Sequence, residues 1–151
     1  RKEEMKSRTK ARSIAMQALF EVDIVDHPPN VVLAARLKEA DLEEKLAEFS
    51  KRIVLGVIPL IEMLDQFIAE HAPEWPLEQV AIVDRNILRI ALWEIAVYGE
   101  TPIKVAINEA VELAKIYGSD STPRFVNGVL GSLAPRQNEI RQAFQTAQNK
   151  I

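Results

Sequence analysis

Two groups of side chains in this sequence have types and spacings suited to contact with a polyanion. The first is a run of bases near the amino terminus: Lys6, Arg8, Lys10 and Arg12. On a helix, Arg8 and Arg12 are four apart and share one flank with Met16 and Phe20. Cations in the first turns of a helix oppose its macrodipole, each by about 0.3–1 kcal/mol. Four of them need a reason outside the helix, and a phosphate backbone is the commonest. The competing reading is a solvated, frayed basic terminus with Phe20 in the core. The second group is Arg124 and Phe125 in the first turn of a later helix, where free backbone N–H groups already attract phosphate. An arginine beside an aromatic is what single-stranded RNA recognition uses, a charge for the backbone and a flat face for an unstacked base. Here the competing reading makes Phe125 a core residue and Arg124 a surface charge.

Other chemistries lack their residues. The chain has no cysteine, so it has no thiolate ligand and no cysteine nucleophile. His27 and His71 both sit at helix ends near prolines, and neither is at ligand spacing from another histidine or a matching carboxylate. Both read as structural or solvated, and no metal or other cofactor is expected. Ser13 and Ser132 have no histidine at a sensible sequence position. Gly128 and Gly131 lie inside a helix rather than at its mouth, so no nucleotide-binding glycine loop is present. Glu43 and Glu44 look like first-turn charges that favour the dipole. From the residues alone, an all-α binding module is favoured over an enzyme, and no catalytic residue is assigned.

Charge distribution sharpens this. The net charge is −3, but residues 1–12 hold six basic and two acidic side chains, a balance of +4 that leaves −7 for the rest. A basic arm on an acidic body suggests a polyanion contact at one end. No apolar run reaches the roughly 18 residues that a membrane span needs, and the charged start shows no signal peptide. Together with the lack of cysteine, this fits a reducing cytoplasm.

The elements that position these groups are all helical. Residues 6–24 place Ala11, Ile14, Ala15, Ala18, Leu19 and Val22 on one face. Asp26–Asn30 is a loop through two prolines, with Asn30 capping a short helix from Val31 to about Ala40. Asp41 and Glu44 form a capping-box pattern that opens a long helix to His71, kinked near Leu55–Gly56 by Pro59. Residues 77–98 form the most apolar helix, with Arg85 and Arg89 on its polar stripe and Glu94 buried against a donor. Thr101–Pro102 and Thr122–Pro123 start the two arms of a helical hairpin. Gly118 ends the first arm in a left-handed cap, and Gly128 inside the second allows close backbone approach. The tail, 136–149, is amphipathic through Ile140, Ala143, Phe144 and Ala147. The length fits one domain over 1–151: a basic arm with the start of the first helix (1–12), an N-terminal helical half (13–75), a C-terminal helical half (76–134) and a polar C-terminal helix or tail (135–151).

The blocks ARSIAMQALFE, ILRIALWEI, VAINEAVELAKIYG and RFVNGVLGSLA, in that order, resemble the NusB family of bacterial transcription antitermination factors. The resemblance runs from about Lys6 to Ala134. It implies an all-α fold of about seven helices in two small bundles packed across each other. It also implies binding of a boxA-type single-stranded RNA together with the ribosomal protein NusE, which acts indirectly on the RNA polymerase elongation complex in ribosomal RNA operons. Carried over, the RNA-contacting positions are Lys6, Arg8, Lys10, Arg12, Ser121, Arg124 and Phe125, and the NusE-facing positions are Phe20 and Asp84. Thr9 stands where an arginine can occur in the family, and Pro123 replaces a more usual polar residue. Two alternatives stay open: a helical module detached from a ribosomal RNA cytosine methyltransferase, and a homodimer that masks its RNA face.

Overall fold

A computed structural model describes the backbone of residues 2–72 and 76–149, with side chains from residue 7 onward. Eight α-helices are formed among the described residues: α1 (Lys2–Val25), α2 (Pro29–Ala40), α3 (Glu44–Val57), α4 (Ile61–Glu70), α5 (Ile82–Trp93), α6 (Ile103–Tyr117), α7 (Thr122–Leu133) and α8 (Gln137–Asn149). The expected all-α class holds. The count is close to the expected seven, with the long helix from Glu44 divided in two. Pro59 has no N–H to continue the ladder and its ring crowds the preceding turn. The α-helix therefore ends at Val57, and a 3₁₀ turn over Ile58–Leu60 precedes α4. The interruption lies at the proline itself rather than as a kink at Leu55–Gly56. The chain forms two compact units, Arg1–Pro59 and Leu60–Ile151.

In the first unit α1 packs on α3 and α2. Ala11, Ala15 and Ala18 are fully buried, and such small residues let a neighbouring backbone come close. The Ser50 hydroxyl donates to the Ala11 carbonyl at 2.7 Å, which fixes the register of α3 on α1. Arg36 on α2 donates to Gln17 at 2.8 Å and Glu21 at 2.9 Å on α1. Two start signals differ from expectation. α2 begins at Pro29, because a proline at the first helical position loses nothing. Asp41 does not cap α3; it ends α2 in the left-handed region (φ 51°), and Glu43 precedes α3 without a side-chain cap.

In the second unit α5 is the central element. Asn86 through Ala96 are buried without interruption, and α5 packs on α4, α6 and α7. Arg89 is not on a polar stripe. It is 5 % exposed and held by both Asp65 carboxylate oxygens, each at 2.7 Å. Glu94 is buried as expected and accepts from the Thr101 hydroxyl at 2.8 Å. That bond takes Thr101 away from the cap of α6, where Pro102 stands instead. Residues Glu94–Tyr98 form a π-helical turn closed by Gly99 at φ 72°, whose N–H bonds the Glu94 carbonyl at 2.9 Å. Trp93 stacks on Tyr98 across it, ring centroids 5.3 Å apart.

Gly118 and Gly128 of the α6–α7 hairpin behave differently from expectation. Gly118 is extended (φ −91°, ψ −174°), not left-handed. It is glycine because a Cβ there would lie 2.5 Å from the Thr122 Cβ. Gly128 faces open space, with nothing within 4 Å of where a Cβ would stand, so no neighbouring backbone packs on it.

Candidate nucleic-acid interface

The first unit presents the basic start of α1. Arg8 and Lys10 are exposed, whereas Arg12 is 3 % exposed. The reason is helical phase. At about 100° per residue, Arg12 falls beside Ala11, Ala15 and Met16 on the face covered by neighbouring helices. Its guanidinium lies 5.1 Å from the centroid of the Phe49 ring, and that of Arg8 lies 4.9 Å from the same centroid. Phe20 is half-buried further along α1. Lys6 belongs to the helical backbone of α1, but its side chain lies outside the described residues. Residue spacing marks Phe49 only as one of the core positions of α3. Nothing in a single sequence connects it to Arg8, 41 positions earlier.

In the second unit a cleft of about 490 Å³ opens where the starts of α5 and α7 meet. It is lined by Gln79, Val80 and Ala81 from the turn before α5, by Asp84, and by Ser121, Arg124 and Phe125. Residues expected from resemblance to serve two different partners thus share one cleft. Arg124 is exposed and Phe125 half-buried, so the aromatic is neither sealed in the core nor remote from a base.

The hydroxyl of Thr122 organises this cleft. It accepts from the Ser119 N–H at 3.0 Å and donates to the Asp84 carboxylate, whose oxygens lie 3.1 and 3.2 Å away. The helix starts one residue earlier than the Thr122–Pro123 signal implied, after Ser121. Thr122 therefore ties α7 to α5 rather than capping α7. Burial pushes the Asp84 carboxyl above its ordinary range, and the Thr122 hydrogen bond partly offsets this. Asp84 also occupies the first turn of α5, where a carboxylate favours the dipole. The cleft therefore combines a hydrogen-bond acceptor, a cation and an aromatic edge or face.

Sequence spacing misses one arrangement in the second unit, because it joins distant positions. His71 Nδ1 lies 2.6 Å from the Ser132 hydroxyl, 61 residues away, so Ser132 does have a histidine beside it. The other ring nitrogen, Nε2, lies 2.8 Å from Arg136 Nη1. A guanidinium has only donors, so Nε2 accepts and Nδ1 carries the proton toward Ser132. The imidazole is then unable to take a proton from that serine, which is what nucleophile activation requires. Arg136 also donates to Glu70 at 2.7 Å and to Glu139 at 2.6 Å, and holds the Glu139 carboxyl below its ordinary range. Among the described residues no three His, Asp or Glu side chains converge on a cation site, and no helix is long and apolar enough to cross a membrane.

Comparison with known proteins places this geometry in a family. The curated transcription antitermination protein NusB of Roseiflexus sp. (strain RS-1) is 50 % identical over 137 residues, covering 89 % of this chain and 96 % of the relative. A solved structure of T. maritima NusB superposes with a TM-score of 0.81 at 32 % identity, over 89 % of this chain and 96 % of that one. A chain in a crystal structure of antitermination factors NusB and NusE in complex with dsRNA gives a TM-score of 0.79 at 25 % identity, over 87 % and 98 % of the two chains. The NusB family model matches residues 9–135, and the chain belongs to the NusB family.

Proposed function

We propose that this chain is a cytoplasmic transcription antitermination factor. It binds boxA-type single-stranded RNA together with ribosomal protein NusE and thereby keeps the RNA polymerase elongation complex processive through ribosomal RNA operons. It is a binding factor and not an enzyme. The Roseiflexus sp. relative, an antitermination protein, is matched over 96 % of its length, which favours this reading over a detached methyltransferase module. The observation that carries the RNA assignment is the cleft at the start of α7, where Arg124 and Phe125 line one opening with Ser121.

Each unit contributes one kind of contact. Lys6, Arg8 and Lys10 on α1 supply sequence-independent attraction to phosphates, with Arg12 behind them. Phe125 offers a surface for an unstacked base and Arg124 a charge for its backbone. Phe20 in the first unit and Asp84 in the second are the NusE-facing positions.

The test is a binding titration of a boxA-type RNA oligonucleotide with this chain, with NusE, and with both. The expected result is tighter binding with both than the two separate affinities predict. Binding that is merely additive removes the partner-dependent mechanism. In the same titration, Arg8→Gln and Lys10→Gln should each flatten the plot of log K against log salt by about 0.7. Slopes equal to the parent's would remove the arm from the RNA contact.

A further inference from the structure

Phe49 is 6 % exposed, which by itself describes an ordinary core residue of α3. Its surroundings are less ordinary, because two guanidiniums lie within 5.1 Å of its ring centroid, both from α1. Arg8 and Arg12 are one helical turn apart, and the single ring serves both. A guanidinium within about 6 Å of an aromatic centroid is attracted by the ring quadrupole. The ring is neutral, so it restrains the cations without cancelling their charge. Its own place is fixed by the next residue, since Ser50 anchors α3 to the Ala11 carbonyl at 2.7 Å. Arg12 lies on the buried side of this arrangement and Arg8 on the exposed side.

We propose that Phe49 is a positioning residue for RNA: its ring, held between α1 and α3, pre-orders the guanidinium of the exposed Arg8 for a phosphate. The inference rests on the RNA-binding reading of this chain and adds a residue to it. A free arginine loses rotamer freedom when it docks on a phosphate, whereas one already held on a ring has lost part of it beforehand. Arg12 then serves the contact from inside, by holding the ring, which accounts for a basic residue of the arm being buried.

The experiment is a double-mutant cycle on the full chain, read by fluorescence anisotropy of a boxA-type RNA oligonucleotide in the presence of NusE. Phe49→Leu should weaken binding by about two- to fivefold and flatten the salt dependence toward that of Arg8→Gln. Phe49→Tyr keeps the π face and should restore both. In an Arg8→Gln background, Phe49→Leu should cause no further loss. Losses that multiply in the double variant overturn the proposal, as does a Phe49→Leu chain with parental affinity and slope. Should Phe49→Leu fail to fold, the parent itself decides by NMR. Arg8 side-chain protons shifted upfield by the ring support the proposal, and unshifted, fast-moving ones overturn it. A parent chain that binds no RNA at all overturns the functional reading and the inference together. RNA binding with multiplying losses overturns the inference alone.

Discussion

Two arginine sites, one in each unit, are built in opposite ways. In the first, Phe49 holds the guanidiniums of Arg8 and Arg12 and adds no negative charge. In the second, Asp65 takes the buried Arg89 in a two-pronged pair at 2.7 Å and neutralises it. A ring restrains a cation and leaves its field available to a ligand. A carboxylate restrains it more firmly and cancels the field internally. The difference separates a contact surface from a structural clamp, although both groups are built from the same residue type on a helix.

The largest effect should come from breaking the clamp. Asp65→Ala leaves Arg89 buried without its carboxylate and should cost about 3 kcal/mol or more in urea unfolding. If the loss is below about 1 kcal/mol, Arg89 is not a clamp, and the contrast between the two sites fails. Next is Gly118→Ala, whose new methyl meets Thr122 at 2.5 Å. Overpacking of this kind typically costs about 1–3 kcal/mol, and the substitution should also disturb the Asp84 hydrogen bond. Gly128→Ala should have the opposite sign, raising stability by about 0.5–1 kcal/mol, because it lies in a helix interior facing open space. Thermal melts of the two variants side by side would test whether the hairpin's glycines have different reasons to be there.

The smallest effect concerns Asp84. Its folded-state pKa is raised by burial, so just above the ordinary aspartate range the folded chain holds more proton than the unfolded one. Stability should therefore fall as pH rises through that window, and recover as pH drops toward the unfolded value. Asp84→Asn should remove this slope, and Thr122→Val should widen the window, since it deletes the bond that lowers the pKa. Urea midpoints between about pH 3.5 and 6 would show it. A slope unchanged in Asp84→Asn assigns the dependence to another group.

Much of this architecture can be read from helical periodicity. The buried stripe of α1, the apolar continuity of α5 and the buried Glu94 all follow from residue spacing, because each is decided within one element. Details that require a second element do not follow. Arg12 looks like a surface cation because its four-residue spacing from Arg8 describes a flank, and the width of the covered face cannot be seen. Thr101 and Thr122 both look like caps, since threonine before proline is a local signal. Each hydroxyl instead finds a carboxylate elsewhere, Glu94 for one and Asp84 for the other. The cleft itself joins the starts of two helices about 40 positions apart, and only the residues on its α7 side carry a signal of their own.

The corner formed by His71 and Ser132 carries a lesson about proximity. A geometric template that scored only the gap between a hydroxyl and an imidazole would return this molecule as a hydrolase. The pair lacks the acceptor that such a step requires: Arg136 claims the lone pair on the far side of the ring, so the imidazole has none left for the serine. Replacing that arginine with a carboxylate would reverse the polarity of the whole row, so direction, more than distance, decides what a hydroxyl beside an imidazole can do.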